Sequence, residues 1–136
     1  MIAADTSVVV AAFASWHESH KAASRALRPG TRLIAQCAVE TYSVLTRLPP
    51  PHRAPADVVL QFLAERFPED YLRLESAPLK ALLRTLPGLG ITGGATYDAV
   101  IGATAAHVGA TLLSFDRRAA GTYQLSGCDL KLLVKA

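Results

Sequence analysis

Four acidic residues stand where carboxylates of a folded domain can take part in chemistry. Asp5 and Asp116 each follow a short apolar run, whereas Glu40 and Asp98 stand early in helical stretches. If the four gather, their repulsion must be relieved, because two unit charges about 5 Å apart cost about 3 kcal/mol at an effective dielectric of about 20. A cation relieves it, and carboxylates without histidine or thiolate suit Mg²⁺ or Mn²⁺. Such a site can activate water for attack on a phosphodiester.

Each of these acids also has a simpler structural role open to it. Asp5 can cap the helix that follows it, although Thr6 or Ser7 can supply that cap instead. Glu40 and Asp98 can be first-turn acids that meet a helix dipole favourably, and the fourth acid can cap a helix that starts directly after it. The residues alone therefore leave a metal site and a set of helix caps as alternatives.

Short apolar runs and helical periodicities predict the elements that position these acids. Strands are predicted at residues 1–4, 32–35, 71–74, 111–114 and 130–134, and helices from 6 or 7, from about 40, and over 16–27, 55–66, 78–86, 95–108 and 117–123. Strands that alternate with helices, without hairpin signals, indicate a three-layer α/β/α domain with a mainly parallel sheet of about five strands. Ligands of such sheets bind beyond the carboxyl ends of the strands, where Asp5 and Asp116 are predicted to lie.

Composition limits the class of protein further. A chain of 136 residues is long enough for one domain, and we expect it to span residues 1–136. Its net charge of +3 permits a polyanionic partner without requiring one. Cys37 and Cys128 are expected to be reduced thiols of a cytoplasmic protein. The apolar run at residues 8–14 follows no basic residue and is far shorter than the ~20 residues of a membrane span, so neither export nor a membrane is expected.

The glycines of residues 88–93 match a dinucleotide-binding pattern by letter only. That pattern must leave a strand and open a helix, whereas here it follows a predicted helix end. His17 and His20 lack the i, i+4 spacing of a zinc-protease helix. Both patterns are therefore interpreted as ordinary loop and surface sequence.

Four segments together resemble the PIN-domain proteins of the VapC toxin family, over essentially the whole chain. The segments are IAADTS at residues 2–7, VETYSVLTR at 39–47, TYDA at 96–99 and LLSFDRRA at 112–119. The resemblance implies a metal-dependent endoribonuclease that is the toxin of a type II toxin–antitoxin system. It implies that Asp5, Asp98 and Asp116 bind Mg²⁺ or Mn²⁺ directly, while Glu40 binds the metal or orients the water that attacks phosphorus. The products would carry a 3′-hydroxyl and a 5′-phosphate.

Residues beside these acids are assigned supporting roles. Thr6 and Ser114 are expected to support the carboxylates, although many family members have Thr or Asn where Ser114 stands. Arg117 and Arg118 follow the fourth acid directly and are candidate RNA phosphate contacts, with solvated surface charge as the alternative. Many family members have a further acid in this stretch, and this chain has none. We therefore expect one firmly held metal, and a second only when RNA phosphate helps to bind it.

The resemblance also implies partners. It predicts a VapB-type antitoxin whose C-terminal segment covers the acidic cleft, a homodimer, and transfer or ribosomal RNA as substrate. Two alternatives remain open on the sequence. One is a housekeeping PIN nuclease of RNA maturation, and the other is a non-catalytic protein- or RNA-binding module whose carboxylates are only caps.

Overall fold

A parallel sheet of four strands forms the centre of the fold. The computed structural model describes residues 1–135. The strands are β1 (Ile2–Ala4), β2 (Arg32–Leu33), β3 (Thr111–Ser114) and β4 (Asp129–Leu132), and the helices are α1 (Thr6–Phe13), α2 (His20–Ala26), α3 (Ala35–Arg47), α4 (Ala56–Arg66), α5 (Ser76–Leu89), α6 (Ala95–His107) and α7 (Ala120–Leu125). The order across the sheet is β2-β1-β3-β4, and every pairing is parallel. All four carboxyl ends therefore meet at one edge, as the predicted α/β class requires.

The register of the two central strands sets the position of the first acid. Ala4 of β1 pairs with Leu113 of β3, and the backbone N–H of Asp5 donates to the Leu113 carbonyl at 3.0 Å. The next residues along each strand, Asp5 and Ser114, therefore lie side by side. Two segments that are more than one hundred positions apart in the chain meet at this point.

The predicted sheet of about five strands is corrected to four. The segment predicted as a strand at 71–74 makes one isolated bridge, between Ile34 and Leu72, and no further ladder. The backbone of Leu72 donates to Leu33 and accepts from Ala35. The residues on either side of it are exposed, and α5 begins four residues later, at Ser76. Alternation of apolar residues over so short a segment does not distinguish a strand from a single bridge.

Helix boundaries differ from the predictions where local hydrogen bonds compete. The helix predicted over 16–27 begins at His20, because turns precede it and the Ser19 N–H donates to the ring of His17 at 3.0 Å. The helix predicted over 78–86 continues to Leu89. Gly90 caps it, with a φ of 70° that is the left-handed conformation glycine adopts without strain. Helix α3 begins about five residues before its predicted start and α7 begins three residues after it, whereas α1, α4 and α6 lie close to their predicted positions.

Helices cover both faces of the sheet and complete the core. Helix α1 contacts α2, α3 and β3, and α6 contacts α3, α7 and β3. Fully buried Val8 and Val9 of α1, Leu45 of α3, Ile101 of α6 and Leu112 of β3 belong to one continuous cluster. The central strands are apolar because both of their faces are covered.

Both cysteines are free thiols, as the sequence predicted. Cys37 is buried in α3 and Cys128 is half-buried just before β4. Among residues 1–135, no helix is long and apolar enough to cross a membrane.

Helices α6 and α7 approach closely at Gly102. A Cβ added at Gly102 would lie 3.2 Å from the Cα of Tyr123 and 3.0 Å from the Cβ of Ser126. These atoms belong to the backbone and to a short side chain, so they cannot move aside alone. The absence of a side chain at Gly102 therefore allows α7 to lie this near to α6.

Gly102→Ala is expected to destabilise the protein by about 1–3 kcal/mol, because α7 must move to admit the methyl group. Gly121→Ala, in the exposed first turn of α7 with open space around it, should instead stabilise by up to about 1 kcal/mol. Urea denaturation of both variants measures the difference. Equal effects of the two substitutions would contradict close packing at Gly102.

Candidate active site

A cleft of about 420 Å³ lies at the carboxyl edge of the sheet. Its border includes all four acids proposed from the sequence: Asp5, Glu40, Asp98 and Asp116. They come from the end of β1, from α3, from α6 and from the segment after β3. The parallel sheet and the helices that follow its strands thus bring four carboxylates, widely spaced in sequence, to one place.

Asp5 is the most buried of these acids, with 2% of its surface exposed. Its Oδ1 accepts from the hydroxyl of Ser7 at 2.5 Å and from the N–H of Val8 at 3.2 Å. Its Oδ2 accepts from the hydroxyls of Ser114 at 2.5 Å and Tyr123 at 2.9 Å. Burial raises the pKa of Asp5, and these four hydrogen bonds oppose that rise.

Of the alternatives that the sequence left open for the cap of α1, the structure has Asp5, and neither Thr6 nor Ser7 supplies the cap. Asp5 precedes α1 in an extended conformation and its side chain accepts from the third residue on. Ser7 is turned towards the carboxylate instead, and its oxygen also accepts from the N–H of Phe115 at 2.9 Å. The carboxylate of Asp5 therefore both caps α1 and borders the cleft.

Glu40 lies in the second turn of α3 and not in its first turn, because the helix begins at Ala35. Its Oε1 accepts from Gln36 at 3.0 Å, one helical turn earlier. Its Oε2 accepts from the hydroxyl of Thr6 at 3.4 Å, which links α3 to the start of α1. The dipole role considered for Glu40 does not apply here, and the two contacts hold its carboxylate at the cleft.

Arg118 lies between the two remaining acids. Its guanidinium is 3.5 Å from Asp98 and 3.1 Å from Asp116, while 73% of its side chain is exposed. Burial raises the pKa of Asp98, the Arg118 charge lowers it, and the neighbouring Asp116 and Glu40 raise it. Mutual repulsion between carboxylates is thus already felt at Asp98, and Arg118 offsets part of it.

Asp116 closes a turn and does not cap a helix that starts at Arg117. The helix begins at Ala120, three residues later than predicted. Between them, Asp116 Oδ1 accepts from the N–H groups of Arg118 and Ala119 at 3.0 and 3.2 Å. Arg117 lies exposed in this turn. The turn aims Arg118 back across the cleft.

The donor set suits a hard cation, although its atoms are not arranged as a complete ligand shell. Within residues 1–135, no group of three or more His, Cys, Asp or Glu side chains is placed to hold a metal ion. Asp5 has about four lone-pair positions and four donors already occupy them. Binding of an ion would therefore require side chains, Arg118 among them, to move.

Comparison with known proteins now decides the family. A model of the PIN domain matches residues 2–125. The chain belongs to the PIN-domain family. The resemblance noted in the sequence is thereby confirmed.

The curated relatives of this PIN domain are ribonucleases of the VapC type. It is 52% identical over 133 residues to Ribonuclease VapC40 of Mycobacterium tuberculosis, and the aligned region covers 98% of this chain and 99% of that protein. It is also 42% identical over 129 residues to Ribonuclease VapC27 of the same species, and the aligned region covers 93% of this chain and 92% of that protein.

Three contacts of this PIN domain were not predicted from the sequence. Tyr123 was one apolar position of a short helix, and nothing local indicated that its hydroxyl reaches Asp5, 118 residues away. Ser7 was considered only as a cap. Gln36 was not considered, although its spacing of four from Glu40 is that of a helical side-chain pair and could have indicated the contact.

Tyr123→Phe is expected to cost about 1.5–3 kcal/mol of folding stability near neutral pH, because it removes a hydrogen bond to a buried carboxylate. The hydroxyl favours the ionised form, so its loss raises the pKa of Asp5 further. The cost should therefore shrink as pH falls towards 3.8, the ordinary pKa of Asp5, and grow as pH rises above it. Urea denaturation over a pH series measures this.

Tyr71→Phe is the matched control, because Tyr71 is 40% exposed and lies outside the cleft. It should change stability little at any pH. A pH-independent loss in Tyr123→Phe would show that the hydroxyl does not act through the carboxylate.

Proposed function

We propose that this protein is the toxin component of a type II toxin–antitoxin system and hydrolyses RNA phosphodiester bonds with the help of a divalent metal ion. The observation that carries the proposal is the meeting of Asp5, Glu40, Asp98 and Asp116 around one cleft in a chain of the PIN-domain family. The relatives are named ribonucleases, which supports RNA as the substrate.

Asp98, Asp116 and Glu40 are the residues most available to hold Mg²⁺ or Mn²⁺, since they are only partly buried. Asp5 would join them when Ser114 or Tyr123 turns its hydroxyl away. When bound, the ion would polarise the phosphate and make water a better nucleophile. The absence of a further acid in residues 117–120, directly after Asp116, favours a single firmly held ion.

The chain's own residues would perform the remaining steps. Glu40, held by Gln36 and Thr6, would orient the water that attacks phosphorus by accepting its hydrogen bond. Arg118, released from the two acids that it now contacts, would donate to the phosphate, and exposed Arg117 would contact a neighbouring one. Cleavage would leave a 3′-hydroxyl and a 5′-phosphate.

Glu40→Gln should reduce RNA cleavage about 10²–10⁴-fold, the usual contribution of a positioned acid or base. Chelation of divalent ions should abolish cleavage by the unaltered protein, and added Mn²⁺ or Mg²⁺ should restore it. Glu69→Gln, an exposed acid outside the cleft, is the matched control and should cleave normally. Cleavage that persists in chelator would contradict a metal-dependent reaction.

Metal binding can be followed without activity. An ion at about 100 times its Kd should stabilise the protein by about 2.7 kcal/mol and raise its melting temperature. Asp116→Asn should reduce this rise, whereas Asp57→Asn, on exposed α4, should keep it. A protein whose carboxylates are only caps would show no rise, which would favour the non-catalytic module.

Expression of the protein in a bacterial host is expected to arrest growth, and co-expression of a small VapB-type antitoxin encoded beside it should relieve the arrest. The antitoxin would act by covering the acidic cleft, and the toxin would form a homodimer. Glu40→Gln expressed at the same level is the control and should not arrest growth.

Mapping of cleaved RNA ends after induction would then show whether transfer or ribosomal RNA is cut. Normal growth despite active nuclease would favour the housekeeping alternative.

A further inference from the structure

A groove between α3 and α6 continues the acidic cleft. Glu40, Asp98 and Arg118 border both. The groove has a volume of about 600 Å³, within the ~300–1,000 Å³ that holds ligands of small-molecule size. Its other walls include Gln36, Val39, Ser43, Arg47 and Tyr97. A polymer whose backbone lies over the acids can therefore extend into this groove without a break.

Two exposed apolar side chains line the groove on different helices. Val39 of α3 is 68% exposed and Tyr97 of α6 is 58% exposed. Tyr97 directly precedes Asp98 in the first turn of α6, and it borders the groove beside the cleft. Neither residue belongs to a buried hydrophobic cluster, so the fold does not explain their type.

A cation lies further along the same wall. Arg47 follows Glu40 by seven residues on α3, about 10 Å along the helix axis. It forms no ion pair with any other residue of 1–135, and its guanidinium contacts only the Ser43 hydroxyl, at 3.5 Å. Its charge is thus available to an anionic ligand.

We propose that this groove is a subsite for single-stranded RNA, in which an unpaired base next to the scissile phosphate stacks on Tyr97 and Arg47 contacts a neighbouring phosphate. The inference rests on the proposed nuclease function and assigns two residues of this groove to binding of its RNA substrate. Aromatic rings beside a basic groove hold single strands in this way, because every base presents a π-face and every link a phosphate.

The arrangement favours RNA over a protein segment. The aromatic ring, the cation without an ion pair and the acids that would act on phosphorus all border one continuous surface. Lys135, also on the cleft border, pairs with Glu18 at 2.6 Å, and Arg118 pairs with two acids. Among the Lys and Arg residues of 1–135 that border the cleft or the groove, Arg47 is therefore the one without an ion pair. An apolar protein segment would contact Val39 and Tyr97 but would offer no anionic partner to Arg47.

The test compares binding of two short probes, an unstructured RNA and a ribose–phosphate chain of equal length that lacks bases. Binding is measured in the Glu40→Gln background with Mn²⁺, so that cleavage does not interfere. Tyr97→Ala should weaken binding of the RNA roughly 5- to 150-fold and leave binding of the abasic chain unchanged. Tyr97→Phe, which keeps the ring, should bind RNA almost normally.

Arg47→Gln should weaken binding of both probes equally and reduce the slope of log Kd against log salt by about 0.7. Tyr71→Ala, an exposed tyrosine outside the groove, is the control and should change neither probe. Light scattering of each variant records the oligomeric state.

Equal loss for both probes in Tyr97→Ala, or no loss for either, would overturn the subsite. A changed oligomeric state would also overturn it and would assign the groove to a contact between copies of the chain. Failure of the proposed function has a different signature, which is absence of RNA cleavage by the unaltered protein. Base-dependent binding through Tyr97 without cleavage would refute the nuclease and retain the subsite.

Discussion

The carboxylate of Asp5 must be accommodated as a buried charge at the end of the central strand. Its four donors come from α1, from the end of β3 and from α7, so a single group ties together three parts of the chain. A buried carboxylate is costly unless its oxygens are hydrogen-bonded. The strand register, the cap of α1 and the close approach of α7 at Gly102 are all needed to meet that requirement.

The elements around this carboxylate could largely be predicted from local patterns. Strand β3 was placed correctly because a short apolar run ends there in a polar turn. Asp5 and Asp116 follow strands, and parallel strands bring such residues to one edge. The short segment around Leu72 was predicted wrongly, because alternation over a few residues does not say how many will pair.

The contacts that complete the site could not be predicted, because they depend on packing between distant segments. Tyr123 reaches Asp5 only when α7 lies against Gly102, and no local pattern records that approach. Arg118 contacts Asp98 of α6 because the turn at Asp116 places Arg118 at the cleft. The sequence indicates which residue types are present, whereas the tertiary arrangement decides which donors and charges they meet.

The pairing of β1 with β3 has a consequence for the timing of synthesis. The two donors to Asp5 Oδ2 lie 109 and 118 residues after it, near the opposite end of the chain. A nascent chain on the ribosome cannot form this arrangement until its residues as far as Tyr123 have emerged. Chain connectivity therefore delays completion of the Asp5 hydrogen bonds until the segment that carries α7 has been synthesised.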